Sequence, residues 1–365
     1  MLKEVKWGEF RIGDLFEVTT SKGYDAGKLN FVDKSIDTFE FVGRTKSNYG
    51  IQGFVERLDT EPNNKETISV SQIGAVHAQF RANKWYSSQN IFVLTPKFKR
   101  LMNLLTVASI DKILSNYGGY SSYPTLKTLR EHIIQLPILE DGSINFSFME
   151  KFIAELEATH LAELDAYLSV TGLKDYELTE EEQQTLEKYI KEEVEFDKFE
   201  YQSIFNKIKQ GRRLTKANQK PGNIPFVMSG ITNTGVVNYI SNPVASFPRN
   251  AITLDIFGNA FYRSYDFGAG DDTGVYWNDK KKYSEDMMLF LTVAMERSVL
   301  GQYSYGKKLR SSQSKKILMS LPSKNNDVDI ETMELLIRAI KKLVIKDVVE
   351  FSNKRIETTK EIINK

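Results

Sequence analysis

The chain has 365 residues, too many for one ordinary hydrophobic core and enough for two domains with additions. Its 41% hydrophobic and 27% charged fractions are those of a soluble globular protein, and no apolar run approaches the roughly 20 residues of a membrane span. With 0 cysteines, a disulfide scaffold, a thiolate metal site and a cysteine nucleophile are excluded; 3 histidines argue against a His-based metal site, and a net charge of +1 speaks neither for nor against nucleic acid.

The N-terminal Met1-Leu2-Lys3-Glu4-Val5-Lys6-Trp7 carries no apolar signal segment, which points to the cytoplasm. Short strands come next. Thr38 to Val42 and Glu66 to Ser71 alternate polar and apolar residues, and Ile91 to Leu94 is a short apolar run of the buried-strand kind. Leu101, Leu104, Leu105 and Ala108 have helical spacing. After Leu136-Pro137 a long helix is predicted from Asn145 or Ser147, both good caps. Its apolar stripe is Phe148, Phe152, Leu156, Leu161, Leu164 and Leu168, and Gly172 ends it. Thr179-Glu180-Glu181-Glu182 then reads as the capping box of a shorter helix.

The chain now starts again. Leu105-Thr106-Val107-Ala108 returns as Leu291-Thr292-Val293-Ala294, Phe41-Val42 as Phe226-Val227, Gly50 as Gly235, Gly74 as Gly258, and Leu136-Pro137 as Leu321-Pro322. An offset of about 185 residues is far longer than a solenoid period, so each copy is a whole domain. The second copy predicts strands at Ile224 to Met228, Ala251 to Leu254 and Gly274 to Trp277. Asp329 caps a last helix carrying Met333, Leu336, Ile337, Ile340, Leu343, Val344, Val348 and Phe351. The fold class is therefore α+β: two pseudo-repeated β-rich domains, each followed by a long helix. The predicted boundaries are 1–140, 141–192, 193–323 and 324–365. Two amphipathic helices of this length bury their stripes most simply as an antiparallel pair; the other arrangement packs each on its own domain.

Matched positions are mostly apolar, Gly or Pro, and the polar residues between them differ. Two copies of one scaffold with different polar surfaces suit two different targets. No phosphate-cradling Gly-Lys-Ser/Thr loop is present, and Asn242-Pro243-Val244 lacks the second Pro and the aromatic of an amino-methyltransferase tetrad. Gly268 to Gly274 leads into a strand and reads as a turn, and Asp271-Asp272 as a turn or polar contact. No arrangement resembles a catalytic centre.

Loop clusters remain. Arg297 to Asn326 contains no acidic residue, and Lys209 to Lys220 carries only basic charges; basic patches mark polyanion partners, though a solvated mixed surface gives the same pattern. Copy one offers Arg44, Lys46, Asn48, Tyr49, Gln72, His77, Gln79, Arg81, Tyr120, Ser121 and Tyr123. Copy two offers Arg212, Arg213, Lys216, Asn233, Tyr303, Tyr305, Lys307, Lys308 and Arg310. Lys, Ser and Tyr suit phosphate contacts, and Arg, Asn, Gln and His carry donors and acceptors that read base edges. The tyrosines serve equally as caps on the core.

The order Trp7-Gly8-Glu9-Phe10-Arg11-Ile12-Gly13-Asp14-Leu15-Phe16, Lys22-Gly23, Asn48-Tyr49-Gly50, Gly74 and Leu136-Pro137 before a long helix resembles the DNA-specificity subunits of type I and BcgI-type restriction-modification systems. Phe196 to Ile208, Gln210 to Asn218, Gly230-Ile231-Thr232-Asn233, Ala260-Phe261-Tyr262 and Tyr303 to Lys308 repeat it. Copy one departs at Gly118-Gly119-Tyr120-Ser121, as it should if the copies read different half-sites. The resemblance implies a non-catalytic reader of double-stranded DNA whose two target-recognition domains each take half of a bipartite site. It also implies DNA adenine methyltransferase subunits as partners, docked on the long helices, with a restriction or translocase subunit as a further candidate. The chain itself would need no cofactor; S-adenosylmethionine would come with the methyltransferase. The rival from another class is a two-domain protein-interaction scaffold without DNA specificity. An enzyme with a cryptic site is a weaker rival, opposed by the missing motifs.

Overall fold

A computed structural model describes residues 5–119 and 121–363. Its contacts divide the chain into two units: residues 1–164 with 352–365, and residues 165–351.

The first unit runs β1 (Lys6–Arg11), α1 (Ile12–Leu15), β2 (Phe16–Thr20), β3 (Gly23–Tyr24), β4 (Phe39–Val42), β5 (Ile51–Val55), β6 (Thr67–Ser71), β7 (His77–Arg81), β8 (Trp85–Ser88), β9 (Ile91–Pro96), α2 (Leu104–Leu114), α3 (Leu126–Glu131), β10 (Ile133–Ile138) and α4 (Phe146–Val170). One antiparallel sheet has the order β2-β9-β6-β7 and a mixed sheet the order β3-β8-β4-β5. β1 pairs antiparallel with β10, with Trp7 opposite Pro137 and Gly8 opposite Leu136. The core is the expected apolar frame, with Ile12, Phe16, Ile68, Leu94, Ile110, Leu129, Ile134 and Leu136 all buried. Asn103 caps α2 by accepting from the Leu105 N–H. β6 is buried along its whole length, not on alternate residues, because it lies inside the sheet and Ser69 accepts from a buried arginine.

The second unit repeats the plan. It contains α5 (Glu180–Ile190), β11 (Phe196–Glu200), α6 (Tyr201–Ile204), β12 (Lys207–Gln210), β13 (Pro221–Val227), β14 (Val236–Ile240), β15 (Ser246–Phe247), β16 (Ala251–Asp255), β17 (Ala260–Arg263), β18 (Phe267–Ala269), β19 (Thr273–Trp277), α7 (Glu285–Val299), α8 (Ser311–Ser314), β20 (Leu318–Lys324) and β21 (Asp327–Val328), with α9 (Ile330–Ile363) completing the chain. The order β12-β19-β16-β17 reproduces β2-β9-β6-β7, and β11 pairs with β20 so that Phe196 faces Pro322. The other sheet differs at one edge. The place of β3, parallel to β8, is taken by β15, antiparallel to β18 and drawn from a later part of the repeat.

The predicted helix signals are met. Asn145 accepts from the Phe148 N–H at 3.0 Å, Gly172 turns the chain with φ +71°, Thr179 and Glu182 form the reciprocal box, and Asp329 accepts from Thr332. The stripes are shifted. On α4 the buried residues are Met149, Ala154, Leu161 and Leu168, while Leu156 is exposed. On α9 they are Met333, Leu336, Ala339, Val349, Ser352 and Thr359, while Ile340, Leu343, Val344, Val348 and Phe351 are exposed. The reason is a near-seven-residue repeat: Ala154, Leu161 and Leu168 share one face, as do Val349, Ser352, Ile356 and Thr359, so small and hydroxylic residues occupy seam positions. Arg355 grips Glu157 with both carboxylate oxygens at 2.7 Å inside the first unit. Inside the second, Lys342 lies 3.1 Å from both Asp175 and Glu182.

Candidate nucleic-acid interface

Each unit carries a turn that ordinary sequence rules do not favour. In the first, Asn48 (φ 48°, ψ 41°), Tyr49 (φ 52°, ψ 29°) and Gly50 (φ 75°) lie consecutively in the left-handed region between β4 and β5. In the second, Asn233 (φ 47°, ψ 40°), Thr234 (φ 52°, ψ 30°) and Gly235 (φ 82°) do the same between β13 and β14. Asn and Gly tolerate this conformation; an aromatic and a β-branched residue do not, at roughly 1–3 kcal/mol each. Asn48 and Asn233 help by donating from their side chains to the carbonyls of Ile51 and Val236.

A buried arginine closes each turn. Arg81, 1% exposed, donates to the Tyr49 carbonyl at 2.7 Å, the Ser69 hydroxyl at 2.8 Å and the Gln79 side chain at 2.6 Å. Burial lowers its pKa to about 10, still far above neutrality. Arg263 donates to the Thr234 carbonyl at 2.5 Å and to the hydroxyls of Thr253, Thr234 and Tyr265. The sequence suggested Arg81 as a surface contact, but the structure turns it inward. His77 is likewise buried, its Nδ1 against the Ala75 carbonyl, and burial depresses its pKa. An arginine two residues beyond the cross-strand partner of a strand hydroxyl was the overlooked signal: Ser69 and Thr253 occupy matching places in β6 and β16.

Beside each turn lies a polar cleft. The first, about 530 Å³, is lined by Tyr24, Asp25, Arg44, Thr45, Gln52 and Gln89 among others. Gly74 also lines it and bonds to the Gly119 carbonyl at 3.3 Å, which brings the loop before Ser121 and Tyr123 to its margin. The second, about 500 Å³, is lined by Arg213, Thr215, Lys216, Gln219, Asn238 and Asp271 among others. Arg44, Lys46, Asn48, Tyr49, Ser121, Tyr123, Arg212, Arg213, Lys216 and Asn233 are all exposed, and Tyr120 lies outside the described residues. Gln72 is half-buried and donates to the Pro124 carbonyl, and Gln79 is held by Arg81, so both serve the scaffold at least in part.

In the basic loop of the second unit, Lys307 lies 5.5 Å from the Tyr303 ring centroid and Lys308 4.7 Å from that of Tyr305, which itself stacks on Phe257. These cations are exposed and pre-positioned by aromatic faces. Arg310 differs: it donates to the Asp271 carbonyl at 2.6 Å. Gln210, which sequence reasoning passed over, bonds the same carbonyl and accepts from the Ser311 N–H, tying three loops together. Asp255 is another missed residue. It is buried, accepts from the N–H groups of Gly230, Phe257 and Asn259, and so fixes the loop carrying Ser229, which in turn bonds Asp272. Asp272 is thus a polar contact within a turn. Among the described residues no group of three or more His, Asp or Glu is placed to hold a metal, and no helix is long and apolar enough to cross a membrane.

Two β-rich copies with clefts of differing polarity and long helices define a duplicated recognition module. Residues 4–166 and 193–351 each match the type I restriction modification DNA specificity domain, and the chain belongs to that family, which supplies the non-catalytic DNA-recognition component of restriction-modification systems. Among its relatives is the specificity subunit of the BcgI type II restriction enzyme of Heyndrickxia coagulans, 24% identical over 346 residues, 90% of this chain and 93% of that one. The type I S subunit from M. genitalium superposes with a TM-score of 0.57 at 13% identity, covering 99% of this chain and 95% of that one, a likeness of fold.

Proposed function

We propose that the chain reads a bipartite duplex target, with residues 1–140 taking one half and 193–323 the other, and that residues 141–192 and 324–365 space the two domains and carry partner subunits. The observation that carries this reading is the pair of clefts: equivalent places on one repeated scaffold, lined by Tyr24, Gln52 and Gln89 in one copy and by Arg213, Asn238 and Asp271 in the other. A shared frame with exchanged hydrogen-bonding groups is what two different base sequences require. Exposed Arg44, Lys46, Arg212, Arg213, Lys216, Lys307 and Lys308 supply phosphate attraction around them.

The partners are DNA adenine methyltransferase subunits, which bring S-adenosylmethionine and extrude the target base; a restriction or translocase subunit joins the same assembly. Support for docking on the helices comes from α9, where Ile340, Leu343, Val344, Val348 and Phe351 form an exposed apolar stripe at helical spacing, with Phe351 61% exposed. Such a complex works on chromosomal DNA, so the site of action is cytoplasmic. Grafting a relative's residues 193–323 into the chain and sequencing the host methylome tests the division of labour. One half of the methylated motif is expected to change and the other to persist. A change in both halves, or in neither, would sink the reading.

A further inference from the structure

The backbone of the strained turns does not require the residues at their centres. Glycine or asparagine would satisfy their backbone, and Asn48 and Gly50, or Asn233 and Gly235, already do so on either side. Yet the central position is Tyr in one copy and Thr in the other, on φ and ψ values that agree to within a degree. The backbone is kept while the side chain changes. Tyr49 is 74% exposed, and Thr234 is exposed with a hydroxyl that accepts from Arg263 and keeps its own proton to donate. Each turn also packs back on the loop at its cleft: Gly50 accepts from the Gly43 N–H at 2.8 Å, next to Arg44, and Gly235 accepts from the Met228 N–H at 3.0 Å.

We propose that Tyr49 and Thr234 each read one base, at equivalent positions of the two half-sites, and that Arg81 and Arg263 are positioning residues that hold these side chains out. The inference rests on the two-domain reading above. A main-chain carbonyl fixed from beneath by a buried guanidinium, with further donors locked to strand hydroxyls, leaves the central residue little freedom to lose on binding. Tyr49 offers a ring face and a hydroxyl that donates or accepts; Thr234 offers a hydroxyl and a methyl, a pair suited to a base edge or a thymine methyl. The difference between the two is a difference in the base sought.

The test uses the full chain with its native partner subunits in a host lacking other methyltransferases, read by methylome sequencing. Tyr49→Ala is expected to relax one base position in one half-site by about tenfold, and Thr234→Ala one position in the other half. Arg81→Lys and Arg263→Lys keep the charge but lose the fork of donors, and are expected to relax the same two positions. Combining either with its turn variant is expected to add nothing further. If the arginine variants lowered methylation evenly at all sites with the motif intact, their role would be folding alone. Should they fail to accumulate, the two exposed substitutions decide: a bipartite wild-type motif unchanged by both would overturn this inference and leave the two-domain reading standing. A wild type with no bipartite motif would remove both.

Discussion

The turns at Asn48-Tyr49-Gly50 and Asn233-Thr234-Gly235 follow one path, yet some of the side-chain contacts beneath them differ. Arg81 is satisfied by a serine, a glutamine and one carbonyl; Arg263 by two threonines, a tyrosine and one carbonyl. Three elements survive in both: the guanidinium, the main-chain oxygen it binds, and a hydroxyl at one strand position, Ser69 or Thr253, that accepts from its Nε. A duplicated domain therefore conserves the contact that fixes backbone geometry and lets its other side-chain partners drift. The same contrast appears on the helices. Within the second unit, Lys342 is enclosed with Glu182, whereas within the first Arg355 and Glu157 form a half-exposed pair.

That second contrast yields the largest expected effect. Lys342→Met would strand Glu182, whose side chain is 5% exposed, without its cation, and removing one partner of a buried pair costs about 3–5 kcal/mol. Arg355→Met, at a pair with side chains 41% and 29% exposed, is expected to cost no more than about 1 kcal/mol. Denaturant unfolding of the two variants measures the gap, and equal losses would break the contrast. A pH series sharpens it. Burial works to raise the Glu182 pKa, but the Thr179 N–H and Lys342 outweigh it and hold the carboxyl below its ordinary value. A group depressed in the folded state stabilises fully above its unfolded value of about 4.3, and that stability drains away as pH falls through the folded value. The Lys342→Met variant should show a shallower acid-side slope, because one of the two partners that depress the pKa is gone while the Thr179 N–H stays.

The glycines of the two turns come next. A Cβ at Gly235 would sit 2.7 Å from the Met228 carbonyl oxygen, fixed backbone, while one at Gly50 would first meet the Gln79 side chain at 2.9 Å. Both residues have positive φ, so both substitutions are strained. Gly235→Ala is expected to destabilise by about 2–3 kcal/mol and Gly50→Ala by about 1–2, because the nearest backbone atom would stand 2.7 Å from the new Cβ at Gly235 and 3.2 Å from that at Gly50. Thermal unfolding of both variants checks the order; the reverse order would mean that the second turn is the more adaptable.

Three strands of each copy, both long helices, their caps and the repeat were legible in the sequence because apolar periodicity and capping chemistry are local, whereas β18 (Phe267–Ala269) enters the stretch from Gly268 that reads as a turn. The helix seam was legible only at Leu161, Leu168, Met333 and Leu336. Leu156, Leu343, Val344 and Phe351 have the hydrophobicity of buried residues, and only the packing partner decides that Ala154, Ser352 and Thr359 take the inside. The basic and aromatic loops were legible as composition, and Arg44, Tyr49 and Lys307 do lie on the surface. Arg81 and His77 were not, because an exposed reader and an inward anchor share one chemistry. Gln210 and Asp255 act by joining segments distant in the chain, a property no window of sequence displays.

The smallest effect separates cations within one loop. Lys307 and Lys308 are exposed and rest on tyrosine faces, so their charges remain available to phosphate. Lys307→Ala and Lys308→Ala are expected to weaken binding to all duplexes alike and to lower the slope of log affinity against log salt by up to about one unit each, the release of one counterion. Arg310 lies in the same stretch without acidic residues and by charge alone would behave the same way. Its donation to the Asp271 carbonyl, which Gln210 shares, assigns it to the scaffold beneath the second cleft instead. Arg310→Ala should therefore leave the salt slope nearly unchanged while loosening discrimination in the half-site read by the second domain. Binding titrations across a salt series, with cognate and scrambled duplexes, separate the two classes. A full-unit drop in slope for Arg310→Ala with discrimination intact would return it to the phosphate contacts and leave Gln210 as the tie between the loops.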